Sequence, residues 1–137
     1  MRDVAYVALG SNLGDREHIL SVARGEIARL PKTTVLGVTP AEETDPIGPP
    51  GQEPYLNQML AIETELNPHA LLDALQDIEL RAGRVRAERW GPRTLDLDIV
   101  RFERQTVADE RLVVPHPALK DRDFWRRELT ALRGTPE

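Results

Sequence analysis

The spacing of apolar residues changes period several times along this chain, and each change predicts an element. Residues 4–9 are short, apolar and partly β-branched, which predicts a buried strand. Gly10-Ser11-Asn12-Leu13-Gly14 is turn chemistry. Asp15 then caps a helix running to about Leu30, whose stripe of Ile19, Leu20, Ala23, Ile27 and Leu30 has helical spacing, and Pro31 ends it. Residues 33–39 predict a second strand. Residues 56–66 predict a third, with Leu60, Ile62 and Thr64 on one face. Asn67 as cap and Pro68 in the first turn open a second helix. Leu71, Leu72, Leu75, Ile78 and Ala82 form its buried side, and Gly83 stops it. A fourth strand is expected from about Leu95 to Phe102, with residues 105–107 pairing back on it as an edge strand. Val113-Val114-Pro115-His116-Pro117 is extended, and Asp121 to about Leu132 predicts a last helix, followed by a frayed tail. The order β-α-β-β-α-β predicts a ferredoxin-like α+β sandwich, helices on one antiparallel sheet, with extra short strands and a C-terminal helix. That architecture hosts many functions and names none.

One stretch obeys neither period. Residues 44–54 hold four prolines and two glycines in eleven positions, so they form no regular element. A long loop inside a compact domain is usually functional or mobile.

The chain has 137 residues, one domain's worth. It has no cysteine, which excludes disulfides and thiolate metal sites and suits a cytoplasmic protein. No signal-peptide pattern or run of bilayer length is present, so no membrane association is expected. Net charge is −5, a poor basis for binding polyanions such as nucleic acid. Phosphate affinity therefore needs a local source of positive charge. Arg84, Arg86, Arg89 and Arg93, against Glu88, provide a local charge of +3.

That loop leads directly into Asp96 and Asp98. Residues two apart on a strand share a face, roughly 6–7 Å apart. Two such carboxylates suit a hard cation such as Mg²⁺, which keeps water or phosphate in its other positions. The same pair also suits a solvated face, but its strand is otherwise apolar, and burying like charges without a cation is expensive. The arginines can fork phosphate oxygens or simply line a solvated loop. Trp90 can stack on a base or pack on the core. Tyr55 and Asn57 share a strand face; a ring and an amide suit a flat, nitrogen-rich heterocycle, and equally a packed strand start. Phe124 is a second stacking wall or core, and His116, fixed between two prolines, is a phosphate donor or structural. Gly10–Gly14 is too short for a P-loop and lacks its lysine. Three histidines and no cysteine give zinc little support.

Several strings together resemble the 6-hydroxymethyl-7,8-dihydropterin pyrophosphokinase family of folate biosynthesis. They are residues 8–14 (ALGSNLG), 55–57 (YLN), 76–79 (QDIE), Gly83-Arg84, 89–99 (RWGPRTLDLDI), 110–112 (ERL) and 114–117 (VPHP). The resemblance covers the chain to about Phe124. It implies one pyrophosphokinase domain over 1–137 that moves pyrophosphate from ATP to the pterin's hydroxymethyl oxygen and releases AMP. It further implies two Mg²⁺ ions on Asp96 and Asp98, with Arg84 and Arg93 sharing the catalytic role. Thr44, Ile47, Tyr55, Asn57 and Phe124 would take the pterin. Gln76, Glu79, Arg86, Trp90, Arg93, Ile99, Arg111, His116 and Arg122 would take ATP. A cytoplasmic monomer is expected, with ATP and the pterin as its small-molecule partners. The chain departs from the family in an arginine loop one residue shorter than in some members, in Asp123, and beyond Phe124, where a shortened or altered helix is expected. Two other classes fit the topology: a non-catalytic ligand-binding module, and a single-stranded RNA binder. The acidic charge and a total of four Phe and Tyr weigh against the RNA binder.

Overall fold

A computed structural model describes residues 2–45, 51, 53–83 and 95–134. The chain runs β1 (Asp3–Ser11), α1 (Arg16–Ala28), β2 (Thr33–Val38), β3 (Glu42–Thr44), β4 (Tyr55–Thr64), α2 (Pro68–Arg81) and β5 (Asp96–Phe102). It continues with β6 (Val107–Ala108), β7 (Val113–Val114), a 3₁₀ turn (Pro117–Asp121) and α3 (Asp123–Arg133). The sheet order is β2-β4-β1-β5, every pairing antiparallel, and β3 extends it by pairing with β4. This matches the expected ferredoxin-like arrangement. Among the described residues no helix is long and apolar enough to cross a membrane.

Side-chain parity on β1 explains the layers. Ala5, Val7 and Leu9 join Leu20, Ile27, Leu71, Leu75 and Ile78 in the core under α1 and α2. Tyr6 and Ala8 point the other way, into a second core with Met59, Val100, Trp125 and Leu129 under α3. A strand covered on both faces reads as one continuous apolar run, as residues 4–9 do.

The caps follow the sequence. The Asp15 side chain accepts from the His18 N–H, and Asn67 accepts from Ala70 N–H at 2.8 Å. Several boundaries differ from expectation: β1 runs on through Gly10 and Ser11, which the sequence reads as turn, and β4 covers Tyr55–Thr64. α1 ends at Ala28, because Arg29 and Leu30 donate to carbonyls three residues back and tighten the last turn. β3 lies just before and at the start of the proline-rich stretch. The strand expected at 105–107 is Val107–Ala108 and pairs with β7 in a small sheet of its own. The 3₁₀ turn precedes α3, which begins at Asp123.

Candidate active site

The face of the sheet under α3 carries the polar groups. Across the strands, Asp96 pairs with Gly10, Gly10 with Asn57, and Asn57 with Glu42. In the next row Asp98 pairs with Ala8, and Ala8 with Met59. Asp96, Asp98, Asn57 and Tyr55 thus share one face by register. The Tyr55 hydroxyl reaches Asp96 Oδ2 at 3.4 Å. Asn57 Nδ2 donates to Thr44 Oγ1 at 2.5 Å, which orients the amide, and Thr44 is the register partner of Tyr55.

Gly10 keeps this row open. A Cβ there would lie 3.1 Å from Asn57 Oδ1 and 3.4 Å from Tyr55 Cδ1, so any side chain would press on both groups.

A bulge in β5 at Val100 shapes the other end. The Val100 carbonyl accepts the His116 N–H at 2.8 Å, next to the cis Val114–Pro115 peptide. The His116 ring accepts from Ala118 N–H at Nδ1, 3.0 Å away, so a neutral ring carries its proton on Nε2. That nitrogen lies 3.6 Å from Asp98 Oδ1. Trp125 packs edge-on against the ring at 5.0 Å, Arg122 lies 4.3 Å above the Trp125 ring, and Phe124 meets it at 6.3 Å. A cavity of about 410 Å³ beside His116 is bounded by Lys120 and Arg126 among others.

The donor set fits a hard cation. Two carboxylate side chains sit side by side on a strand, and that of Asp98 is 39% exposed. Among the described residues no third His, Cys, Asp or Glu completes a metal cluster with them, leaving the pair suited to an ion that takes its other oxygens from phosphate and water.

A family model for 7,8-dihydro-6-hydroxymethylpterin-pyrophosphokinase matches residues 6–134. The chain belongs to this pyrophosphokinase family. It is 47% identical over 124 residues to the 2-amino-4-hydroxy-6-hydroxymethyldihydropteridine pyrophosphokinase of Bacillus subtilis (strain 168), covering 90% of this chain and 74% of that one. Its identity to the Pseudomonas aeruginosa enzyme of the same name is 49% over 119 residues, covering 87% and 74%. It is 39% identical over 129 residues to the folic acid synthesis protein fol1 of Schizosaccharomyces pombe, covering 94% of this chain and 18% of that protein.

Among the described residues, the positions singled out by sequence in this pyrophosphokinase form three clusters. Asp96, Tyr55, Asn57 and Thr44 come together on one end of the sheet face. His116, Arg122 and Phe124 gather around Trp125, and Asp98 faces His116. Gln76 and Arg111 meet on the outer surface of α2, where the Arg111 guanidinium donates to Asp73 at 2.7 Å and to Gln76 at 3.5 Å. Glu79 and Ile99 point elsewhere. Glu79 is buried and accepts the Leu97 N–H at 2.8 Å, between the two aspartates, and the Ile99 side chain lies in the α1/α2 core. Ile47, Arg84, Arg86, Arg89, Trp90 and Arg93 lie outside the described residues. Sequence reading missed Gly10 as an opening in the row and Trp125 as the hub of the His116 cluster. Gly10 reads as turn chemistry in sequence but lies in β1, and its partners across the sheet are set by residues distant in the chain.

Proposed function

We propose that the sheet face under α3 is the catalytic face of this pyrophosphokinase, with the pterin at the Tyr55–Asn57–Thr44 end and the ATP phosphates at the Asp98–His116 end. Family membership gives the chain pyrophosphokinase activity in folate biosynthesis, and the family uses ATP. The observation that carries the layout is the row itself. Asp96 touches the Tyr55 hydroxyl on one side and precedes Asp98 by one pleat on the other, so the carboxylates lie where a heterocycle-binding end meets a cationic end.

In the reaction, the pterin's hydroxymethyl oxygen forms a bond to the β-phosphorus of ATP. The bond from that phosphorus to the bridging oxygen of the α-phosphate breaks, AMP leaves with that oxygen, and the hydroxyl proton passes to solvent or a nearby oxygen. Asn57, its amide fixed by Thr44, reads the pterin edge and Tyr55 bounds the ring at that end, while Phe124 would close the slot from the Trp125 side, next to the phosphate end. His116 Nε2–H and the Arg122 guanidinium face phosphate oxygens, and Arg111 with Gln76 engages the nucleotide from α2. Glu79 acts in the ATP-binding role through the backbone it holds at Leu97. Ile47 belongs with the pterin contacts; Arg84, Arg86, Trp90, Arg93 and the Ile99 backbone belong with ATP, Arg84 and Arg93 stabilising charge as it moves. Asp96 and Asp98 would hold two Mg²⁺ ions. When bound, such ions supply charge neutralisation between attacking and leaving oxygens. Thr44, Tyr55, Asn57, Asp96 and Asp98 share one sheet, which supports a single pyrophosphokinase domain over 1–137; a cytoplasmic monomer is part of the same proposal.

AMP formation from ATP should require both pterin and Mg²⁺. Asp96→Ala and Asp98→Ala should each lower turnover by roughly 100-fold or more, the scale of several kcal/mol of charge stabilisation. Full turnover in either variant would overturn the metal assignment, and failure of the wild-type chain to form AMP with pterin and Mg²⁺ present would favour a binding module.

A further inference from the structure

Arg16 stands at the first position of α1, where a helix favours acidic side chains because its N-terminal amides carry partial positive charge. Asp15 as cap and Glu17 in the first turn follow that preference, and Arg16 goes against it. Its side chain leaves the helix. Nη1 donates to the Pro54 carbonyl at 2.8 Å, and Nη2 pairs with Glu43 Oε1 at 2.6 Å. The Arg16 side chain is only 27% exposed, against 57% for Glu43. One turn earlier, buried Asn12 donates through Nδ2 to the Glu53 carbonyl at 3.3 Å.

The two groups Arg16 grips flank the polar row. Pro54 immediately precedes Tyr55, and Glu43 immediately precedes Thr44. Glu43 pairs with Leu56, whose side chain lies in the α1/α2 core, so Glu43 points away from the catalytic face. Thr44 and Tyr55, its register partner, point toward that face. The guanidinium fork therefore ties β3 to the start of β4 from behind the sheet.

We infer that Arg16 is a positioning residue for the pterin end of the site, setting the Thr44–Tyr55 pair through the backbone on either side of it. The inference rests on the reading of Tyr55, Asn57 and Thr44 as pterin contacts. Thr44 Oγ1 holds the Asn57 amide, so a shift of β3 against β4 turns the amide away from the edge it reads. The phosphate-facing groups on β5 and at His116 touch neither β3 nor Pro54 through this fork. Loss of Arg16 should therefore act on the pterin and spare ATP. A lysine, reaching one acceptor at a time, should restore part of the effect.

The test uses the full chain with 6-hydroxymethyl-7,8-dihydropterin, Mg²⁺ and a non-hydrolysable ATP analogue. Arg16→Ala, Arg16→Met, Arg16→Lys, Glu43→Gln and Asn57→Ala are compared at a temperature where circular dichroism finds each folded. Arg16→Ala and Arg16→Met should raise the pterin KM and Kd roughly tenfold, the scale of a small misplacement of binding groups. KM for ATP and analogue binding in the absence of pterin should stay within twofold, roughly the error of such comparisons. Arg16→Lys should fall between wild type and Arg16→Ala, and Glu43→Gln should shift the pterin KM in the same direction. A merely structural arginine would lower the melting temperature and leave pterin affinity of the folded protein unchanged; that result overturns the inference, as does equal weakening of ATP and pterin. If Asn57→Ala also leaves pterin binding intact, the pterin-end reading itself fails. If Asn57→Ala weakens pterin and Arg16→Ala does not, only the role of Arg16 fails.

Discussion

Gly10 does more for the site by lacking a side chain than many residues do by having one. It stands between Asp96 and Asn57 in the same transverse row, and the Tyr55 ring edge closes over it. An alanine methyl there sits closer to Asn57 Oδ1 than ordinary contact allows, and Asn57 has little freedom because Thr44 holds its amide. Gly10→Ala should leave the fold intact, since no positive φ is required at this position. It should raise the pterin KM several-fold with a smaller effect on KM for ATP. Steady-state kinetics with each substrate varied in turn checks this; an unchanged pterin KM would mean the ring does not approach this part of the row. His116 illustrates the opposite case. The sequence marks His116 between two prolines as a phosphate-donor candidate but not its aim, which the Val100 carbonyl, the Ala118 N–H and the Trp125 ring edge set by turning Nε2 toward Asp98.

At the scale of elements, β5 is the outer strand of its order, and its first residues depend on α2. Glu79 accepts the Leu97 N–H, fixing the backbone between the two aspartates. Glu79→Ala would leave a buried donor without that acceptor, at a cost of about 2 kcal/mol. Chemical denaturation should register that loss, and turnover should fall with it as Asp96 loosens; a variant of wild-type stability would contradict the tether. The helices and long strands were legible in the sequence because each carries its own signal: Asp15 and Asn67 as caps, apolar stripes at helical spacing, alternation along β4. The parity that puts Asp96 and Asp98 on one face was equally local. β3 was not legible, because Glu42-Glu43-Thr44 has little strand character and owes its conformation to β4. The β6–β7 pairing, the Glu79 tether and the reach of Arg16 likewise depend on residues distant in sequence. The chemistry of the aspartates could thus be read from a short string, whereas their surroundings required the register of five strands.

The described residues form three layers, and α3 covers part of the catalytic side with charge as well as with Trp125 and Leu129. Arg127 pairs with Glu42 on β3 at 3.2 Å. Arg133 pairs with Glu103 at 2.8 Å, and Glu103 accepts the Tyr6 hydroxyl at 2.7 Å. Burial, then the Glu103 bond, pushes the Tyr6 hydroxyl up to about 12, while the Arg133 bond leads in holding the Glu103 carboxyl below its ordinary range. Between these anchors Glu128 is 5% exposed, and neither of its buried oxygens has a hydrogen-bond partner among the described residues. Burial pushes its carboxyl up to about 8; the Glu42 carboxylate adds to this and the Arg127 guanidinium opposes it. The unfolded chain releases this proton near the ordinary 4.5, the folded chain only near 8. Unfolding in that window releases a proton, so stability falls as pH rises through it, by about 1.4 kcal/mol per pH unit for one proton, and levels off above 8. Glu128→Gln should remove this slope and stabilise the protein at neutral pH. Urea titrations of both proteins from pH 5 to 9 measure it, and parallel curves would show that Glu128 is ionised in the folded state. The register of β5 on β1 carries one more consequence. Slipping the pair by one residue would turn Asp96 and Asp98 into the α1/α2 core and put Leu97 and Ile99 on the face under α3 where the carboxylates belong. A misaligned copy would thus be inactive and unstable for the same reason. Burial of Leu97 and Ile99 therefore selects the one register that presents both carboxylates.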